Sequence, residues 1–172
     1  MNDQDKKYLK LIRAVVENFI KSCSDRFDEE GKLLLDIAPQ IYEGARKYFK
    51  KANVVTLDID SHYNPDYVAD ICSCKQISGG SFDFVLCTEV LEHVLRPFEA
   101  IDEIHRMLKK NGYLFLSVPL NFRIHGPLPD CWRFTEHGLR ELLKDFNLVD
   151  LSEIPTPDRK LMPINYQVTA QK

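Results

Sequence analysis

Four acidic residues stand at or just after the ends of predicted strands: Asp36, Asp58, Asp70 and Glu89. In an open α/β sheet the ligand lies beyond the carboxyl ends of the strands, so these residues predict a row of carboxylates along the ligand crevice. Carboxylates pair with cations and hydroxyl donors and repel a diphosphate. The chain also lacks the G-x-G-x-x-G motif of dinucleotide sites. The pattern therefore disfavours an NAD-type oxidoreductase. It favours S-adenosylmethionine, which carries a sulfonium, an ammonium and a ribose diol but no phosphate.

Two histidines follow predicted strands and could move a proton. His93 follows the fourth strand, and His125 lies in the loop after the fifth. An imidazole titrates near neutral pH, so both are candidate general bases for a hydroxyl acceptor. For His93, a structural hydrogen bond to the nearby loop is an equally good interpretation.

The loop after the fifth strand also carries Asp130, Trp132 and Arg133. These residues could stack on a sugar or aromatic face and bind its hydroxyls or an anionic group. Alternatively, Trp132 anchors the core and Arg133 pairs with Asp130. Cys72 and Cys74 lack the spacing of a zinc motif, so we expect no metal site.

Hydrophobic periodicity supplies the elements that must position these residues. Helices are predicted over 4–22, after Pro39, over 97–110 with Asn111-Gly112 as its C-cap, and after Thr135 as N-cap. Strands are predicted over about 33–36, 53–59, 67–71, 82–87, 113–118, 147–154 and 163–171. The alternation predicts an α/β fold: a mostly parallel seven-stranded sheet with an antiparallel last strand and helices on both faces.

Length and charge narrow the class of protein. The 172 residues suit one domain, 1–172, and the net charge of −3 does not favour a nucleic-acid or membrane-surface partner. The N-terminus is polar, and five cysteines without a signal peptide predict reduced thiols and a cytoplasmic location. We therefore expect a small-molecule acceptor as partner, and the oligomeric state stays open.

One continuous stretch is similar to a known family. Residues 81–119 read SFDFVLCTEVLEHVLRPFEAIDEIHRMLKKNGYLFLSVP. This order of strand, E-x-L-E-H, helix, L-K-x-x-G and strand resembles the class I S-adenosylmethionine-dependent methyltransferases, which have a Rossmann-like fold. Within that class the chain looks most like the small-molecule group found in bacterial sugar and cell-envelope pathways. The run at 125–135, HGPLPDCWRFT, resembles a motif of the same group.

The resemblance implies S-adenosylmethionine as cofactor and a methyl acceptor such as a sugar hydroxyl. It divides the chain into an N-terminal helix and loop (1–30), a cofactor-binding half (31–118) and a substrate-side half (119–172). By position, the resemblance also implies which residues contact each part of the cofactor. The first cofactor motif is Asp36, Ile37 and Ala38, and the ribose contact is Asp58 and Ile59. The adenine contact is Asp70 and Ile71, and Cys87, Thr88 and Glu89 line the methionine end.

The first motif departs from the family pattern D-x-G-x-G-x-G. Ala38, Gln40 and Tyr42 occupy the three glycine positions, in a chain with seven glycines in all. Ala38 is a mild change if its φ angle is negative, whereas the larger side chains restrict close approach of a cofactor to the backbone. The departure leaves an alternative open: a methyltransferase-like binding or regulatory protein with weak or no turnover.

Overall fold

The computed structural model describes residues 3–157 and 159–172. This part of the chain contains three α-helices, three short 3-10 helices and seven strands. The helices are α1 (Asp3–Phe27), α2 (Pro97–Met107) and α3 (Glu136–Leu142). The strands are β1 (Leu33–Ile37), β2 (Asn53–Asp58), β3 (Tyr67–Val68), β4 (Phe82–Thr88), β5 (Leu108–Pro119), β6 (Asn147–Ile154) and β7 (Asn165–Gln171).

All seven strands form one sheet in the order β3-β2-β1-β4-β5-β7-β6. The pairs among the first five strands are parallel, whereas β7 runs antiparallel to both β5 and β6. This confirms the predicted sheet, including its antiparallel last strand. The strand order reverses between β1 and β4, and that switch point is where open α/β sheets bind their ligands.

Alternating side chains of the central strands supply a core on each face of the sheet. On one face Leu34, Phe84 and Phe115 pack against α1, and the Phe84 and Phe115 rings lie 5.8 Å apart. On the other face the core includes Ile104 of α2 and Leu139 of α3. Helices therefore cover both faces, as predicted. No helix among residues 3–157 and 159–172 is both long and apolar enough to cross a membrane.

The helix predicted after Pro39 is wrong. The chain makes turns there and then a single 3-10 helix, Gly44–Lys47. Ala45 and Phe49 of this segment are nevertheless buried against the sheet. A continuous helix is prevented by left-handed backbone at Gln40 and Gly44, with φ angles of 56° and 54°. Residues in that conformation interrupt right-handed helical hydrogen bonding.

The predicted C-cap of α2 is also wrong. The helix ends at Met107, and Asn111 and Gly112 lie within β5. A β-bulge shifts the register between β4 and β5 here, and Asn111 adopts a φ of 64°. A Cβ on Gly112 would come within 2.9 Å of the Asp83 carbonyl oxygen, so glycine permits the close approach of the two strands. Elsewhere α1 extends to Phe27, five residues further than predicted, and β3 is only two residues long.

Candidate active site

A cavity of about 1220 Å³ opens at the carboxyl ends of β1, β2 and β4. It lies at the switch point of the sheet, between β1 and β4. Leu9, Ile12 and Val16 of α1 line one side, and the loop 125–129 lines another. A concave, mostly apolar space with a few carboxylates at this position is typical of a ligand site.

Nine of the ten predicted cofactor-binding residues line this cavity: Asp36, Ile37, Ala38, Asp58, Ile59, Asp70, Ile71, Thr88 and Glu89. Cys87 does not, because its side chain points into the core between the sheet and α2 and is fully buried. Burial also raises the pKa of its thiol. The pattern of β4 explains the difference, since alternate residues of a strand face opposite sides.

Asp36 and Asp58 lie buried near the ends of neighbouring parallel strands. Oδ2 of Asp36 accepts the Ala45 N–H at 2.7 Å, and burial raises the pKa of its carboxyl group to about 7. Oδ1 of Asp58 accepts the Asp60 N–H at 2.9 Å. Oδ2 of Asp58 has no hydrogen-bond partner in the described part of the chain. Such an atom calls for a donor from a ligand or water.

Glu89 and Asp70 complete the acidic row. Oε1 of Glu89 accepts hydrogen bonds from Ser117 Oγ and Asn165 Nδ2, each at 2.8 Å. Burial of the carboxyl group raises its pKa to about 7, although these donors oppose the shift. Asp70 is the most open of the four, and its Oδ1 accepts the Cys72 N–H at 2.9 Å. The row therefore combines three enclosed carboxyl groups with one at the cavity mouth.

The segment after β1 lines the cavity with left-handed backbone. Ala38 has a φ of 53° and Gln40 a φ of 56°, a region that residues with a Cβ rarely adopt. The expectation that Ala38 is a mild change required a negative φ, and that condition is not met. Gly44 is also left-handed, and its Cα packs against the Asp36 carboxylate so closely that a Cβ would overlap Oδ2.

The two predicted catalytic histidines meet in the same cavity. The ring centroids of His93 and His125 lie 4.9 Å apart, and both residues line the cavity. Nδ1 of His93 is 2.9 Å from the Pro129 carbonyl oxygen, which is the structural bond that the alternative interpretation required. Burial lowers the pKa of His125, which favours the neutral imidazole. A neutral ring nitrogen can accept a proton.

Asp130, Trp132 and Arg133 are not among the residues that line this cavity. Arg133 pairs with Asp130, and Nη2 lies 2.9 Å from Oδ2. This guanidinium holds the pKa of Asp130 well below its usual range. The Trp132 indole donates to the Val94 carbonyl at 2.8 Å. Asp130 also accepts the His125 N–H at 2.9 Å, so these residues support the loop that carries His125.

Glu92 was not among the predicted site residues, yet it is fully buried beside both histidines. Its Oε1 lies 3.7 Å from His93 Nε2 and 3.8 Å from His125 Nε2. Ser117 and Asn165, which donate to Glu89, were not predicted either. The position of Glu92 in the E-x-L-E-H run, directly before His93, was the available signal. Asn165 is distant in sequence, and only the pairing of β5 with β7 brings it close.

Comparisons with known proteins agree with this architecture. Residues 20–153 match the methyltransferase domain family. A ubiquinone biosynthesis O-methyltransferase of Xanthomonas oryzae pv. oryzae is 37% identical over 84 residues, 49% of this chain and 32% of that protein. The match thus spans about a third of the length of that relative.

Solved structures share the fold at low sequence identity. The 1,6-didemethyltoxoflavin-N1-methyltransferase of Burkholderia thailandensis, solved with S-adenosylhomocysteine, superposes with a TM-score of 0.71 at 18% identity, over 98% of this chain and 83% of that one. The [4+2]-cyclase SpnF superposes with a TM-score of 0.72 at 16% identity, over 91% of this chain and 80% of that one. One fold thus hosts different reactions. The family match covers more than half of the sequence, and the chain belongs to the methyltransferase domain family with the class I S-adenosylmethionine-dependent methyltransferase fold.

Proposed function

We propose that this protein transfers a methyl group from S-adenosylmethionine to a hydroxyl of a small molecule. The observation that carries the proposal is Oδ2 of Asp58, a buried carboxylate oxygen without a partner in the described part of the chain. It lies at the end of β2 and lines the cavity. A ribose hydroxyl donating to this atom would satisfy it, and the other hydroxyl of the diol lies within reach of the same carboxylate.

The rest of the acidic row fits the same ligand. Asp36 and Glu89 are enclosed carboxyl groups with raised pKa values, and a neighbouring cation stabilises their ionised forms. The ammonium and sulfonium of the methyl donor are such cations. The donor supplies an activated methyl carbon, so the protein mainly positions the two reactants and excludes water. The apolar side chains of α1 serve that exclusion.

The histidine end of the cavity is the proposed acceptor site. A hydroxyl acceptor must lose a proton as the new C–O bond forms, and a positioned base assists that loss. His93 and His125 are the proposed bases, and Asp130, Trp132 and Arg133 act by holding the His125 loop. We infer a sugar hydroxyl as the acceptor class from the resemblance to sugar and cell-envelope methyltransferases. The net charge of −3 supports a small molecule over a nucleic acid.

Retention of turn geometry after β1 supports binding of the methyl donor despite the missing glycines. Ala38 and Gln40 adopt the left-handed conformation for which glycine is the usual residue. We infer that this turn is a degenerate glycine motif that keeps the backbone path without the glycines. The hydrogen bond between Asp36 and Ala45 and the burial of the Ala45 and Phe49 side chains stabilise this left-handed backbone.

Two assays on the purified protein test this function. Thermal shift with S-adenosylmethionine, S-adenosylhomocysteine and NAD should show stabilisation by the two sulfur ligands only. Incubation with methyl-labelled donor and a metabolite extract should then label a small molecule. Stabilisation without any labelled product would support the binding-protein alternative. Stabilisation by neither sulfur ligand would contradict the proposal.

A further inference from the structure

Three potential ligand atoms converge at the histidine end of the cavity. Glu92, His93 and His125 each offer one such atom, and the three atoms lie within 4.8 Å of one another. Oε1 of Glu92 is 3.7 Å from Nε2 of His93 and 3.8 Å from Nε2 of His125. Glu92 and His93 lie on the 3-10 helix Leu91–His93 after β4, and His125 comes from the loop after β5. We call these residues the Glu92–His93–His125 cluster.

Nδ1 of each imidazole already has a hydrogen-bond partner within the protein. Nδ1 of His93 faces the Pro129 carbonyl oxygen at 2.9 Å. Nδ1 of His125 faces the Arg123 carbonyl oxygen at 3.2 Å and Oδ2 of Asp130 at 3.1 Å. Because these partners only accept hydrogen bonds, each Nδ1 carries the proton and each Nε2 presents a lone pair to the cluster. Metal-binding histidines are held in this way, by a carbonyl or carboxylate on the ring nitrogen that does not bind the metal.

Glu92 supplies an independent observation. Its side chain has no exposed surface, and neither carboxylate oxygen has a hydrogen-bond partner among the described residues. Burial is the largest influence on this carboxyl group, and together with the nearby Glu89 and Asp130 carboxyl groups it raises the pKa of Glu92 well above its usual range, against the opposing guanidinium of Arg133. These surroundings favour either a proton on Glu92 or a bound cation beside it. A buried, unpaired carboxylate is costly unless a cation or donor compensates it.

We propose that Glu92, His93 and His125 bind a divalent transition-metal ion of the zinc class. Two imidazoles and one carboxylate are a ligand set that zinc adopts in catalytic sites, where a further position stays open. Bonds of about 2.0–2.1 Å place tetrahedral ligand atoms about 3.3 Å apart, so the Glu92 oxygen and each histidine nitrogen, now 3.7 and 3.8 Å apart, approach by roughly 0.5 Å on binding. The open position faces the cavity, since His93 and His125 line it.

The role of the ion rests on the proposed function, whereas its binding does not. A metal ion occupies the lone pairs of both histidines, so neither imidazole then serves as the base. The ion instead holds the acceptor oxygen and lowers the pKa of its hydroxyl, so the proton passes to solvent. With the metal bound, the acceptor hydroxyl is activated by the ion and not by a histidine base.

Cobalt(II) titration of the protein without methyl donor tests the site. Cobalt(II) replaces zinc and reports its ligands by visible absorption. Cys131 has an exposed thiol, and its backbone N–H donates to the Glu92 carbonyl oxygen at 2.6 Å, so Cys131→Ser is the parent for all variants. We expect one ion to bind with the absorption of nitrogen and oxygen ligands and without a near-ultraviolet thiolate band. Glu92→Gln, His93→Gln and His125→Gln should each abolish this spectrum.

Matched controls separate the site from surface binding and from misfolding. His62→Gln removes an exposed histidine and should leave cobalt(II) binding unchanged. Asp130→Asn weakens the support of His125 and should lower the affinity by about 10-fold. Each variant must keep a cooperative thermal transition without metal, which shows that it is folded. If Glu92→Gln fails this requirement, His125→Gln, which lies on a loop, tests the site in its place. No saturable binding in the parent, or an unchanged spectrum in Glu92→Gln and His125→Gln, overturns the metal site. Either result leaves binding of the methyl donor untouched.

Discussion

The Cα of Gly44 packs against the carboxylate of Asp36, and no space remains for a Cβ atom between them. The contact places the Ala45 N–H at 2.7 Å from Oδ2 of Asp36. Gly44 also has a left-handed φ of 54°, so two separate demands select glycine. This pair joins the end of β1 to the turn that lines the cavity.

We expect Gly44→Ala to lower the free energy of unfolding by about 2 kcal/mol or more, because left-handed strain of about 1–3 kcal/mol adds to the overlap with Asp36. Gly80→Ala is the matched control. Gly80 has a φ of 67°, but nothing lies within 4 Å of a Cβ built there. Urea denaturation of both variants measures the difference. Equal losses in the two variants would contradict a specific contact between Gly44 and Asp36.

Ala38→Gly should raise the free energy of unfolding, whereas Gly44→Ala should lower it. Relief of left-handed strain of about 1 kcal/mol exceeds the entropic cost of glycine, leaving a gain of roughly 0.5 kcal/mol in the free energy of unfolding. Ala14→Gly, at an exposed position inside α1, should instead cost about 1 kcal/mol. Urea denaturation again provides the measurement. A loss in Ala38→Gly as large as that in Ala14→Gly would show that Ala38 is unstrained.

The raised pKa of Asp36 predicts a pH-dependent stability. Burial raises the pKa of this carboxyl group from 3.8 to about 7 in the folded protein. The folded state therefore holds a proton that the unfolded chain releases, and stability falls as the pH rises from about 4 to 7. Asp36→Asn keeps an oxygen for the Ala45 N–H but does not titrate.

Thermal unfolding of the wild type and Asp36→Asn, without ligand, measures this effect across that pH range. We expect the stability of Asp36→Asn relative to the wild type to increase steadily with pH. Comparing the two proteins at each pH cancels the titration of the other groups. A constant difference between pH 4 and 7 would rule out the raised pKa.

The strands and the cofactor end of the site were predictable because their signals are local. Each short apolar run closing on an acid marks both a buried strand and the residue that its end presents to the cavity. Asp36 and Asp58 are examples, and both line the cavity. The prediction of Thr135 as an N-cap also depended on a local signal, and Thr135 Oγ1 accepts the Gly138 N–H at 3.2 Å.

The errors arose where distant parts of the chain decide the conformation. The apolar spacing around Ala45 suggests a helix, but the carboxylate of Asp36 takes the Ala45 N–H and fixes turns instead. Asn111-Gly112 has the composition of a helix cap, yet these residues pair with Lys172 at the end of the chain.

The central claim is that Asp58 binds the ribose of a methyl donor. Isothermal titration calorimetry with S-adenosylhomocysteine tests it most directly, on the wild type, Asp58→Ala and the control Asp60→Ala. Asp60 lies two residues further along, and its side chain caps the 3-10 helix Ser61–Tyr63 rather than lining the cavity. Hydrogen bonds to a charged group contribute about 1.5–3 kcal/mol, so Asp58→Ala should raise the Kd about 10- to 100-fold. Asp60→Ala should leave the Kd near the wild-type value, whereas no binding to the wild type, or equal binding to Asp58→Ala, would contradict the claim.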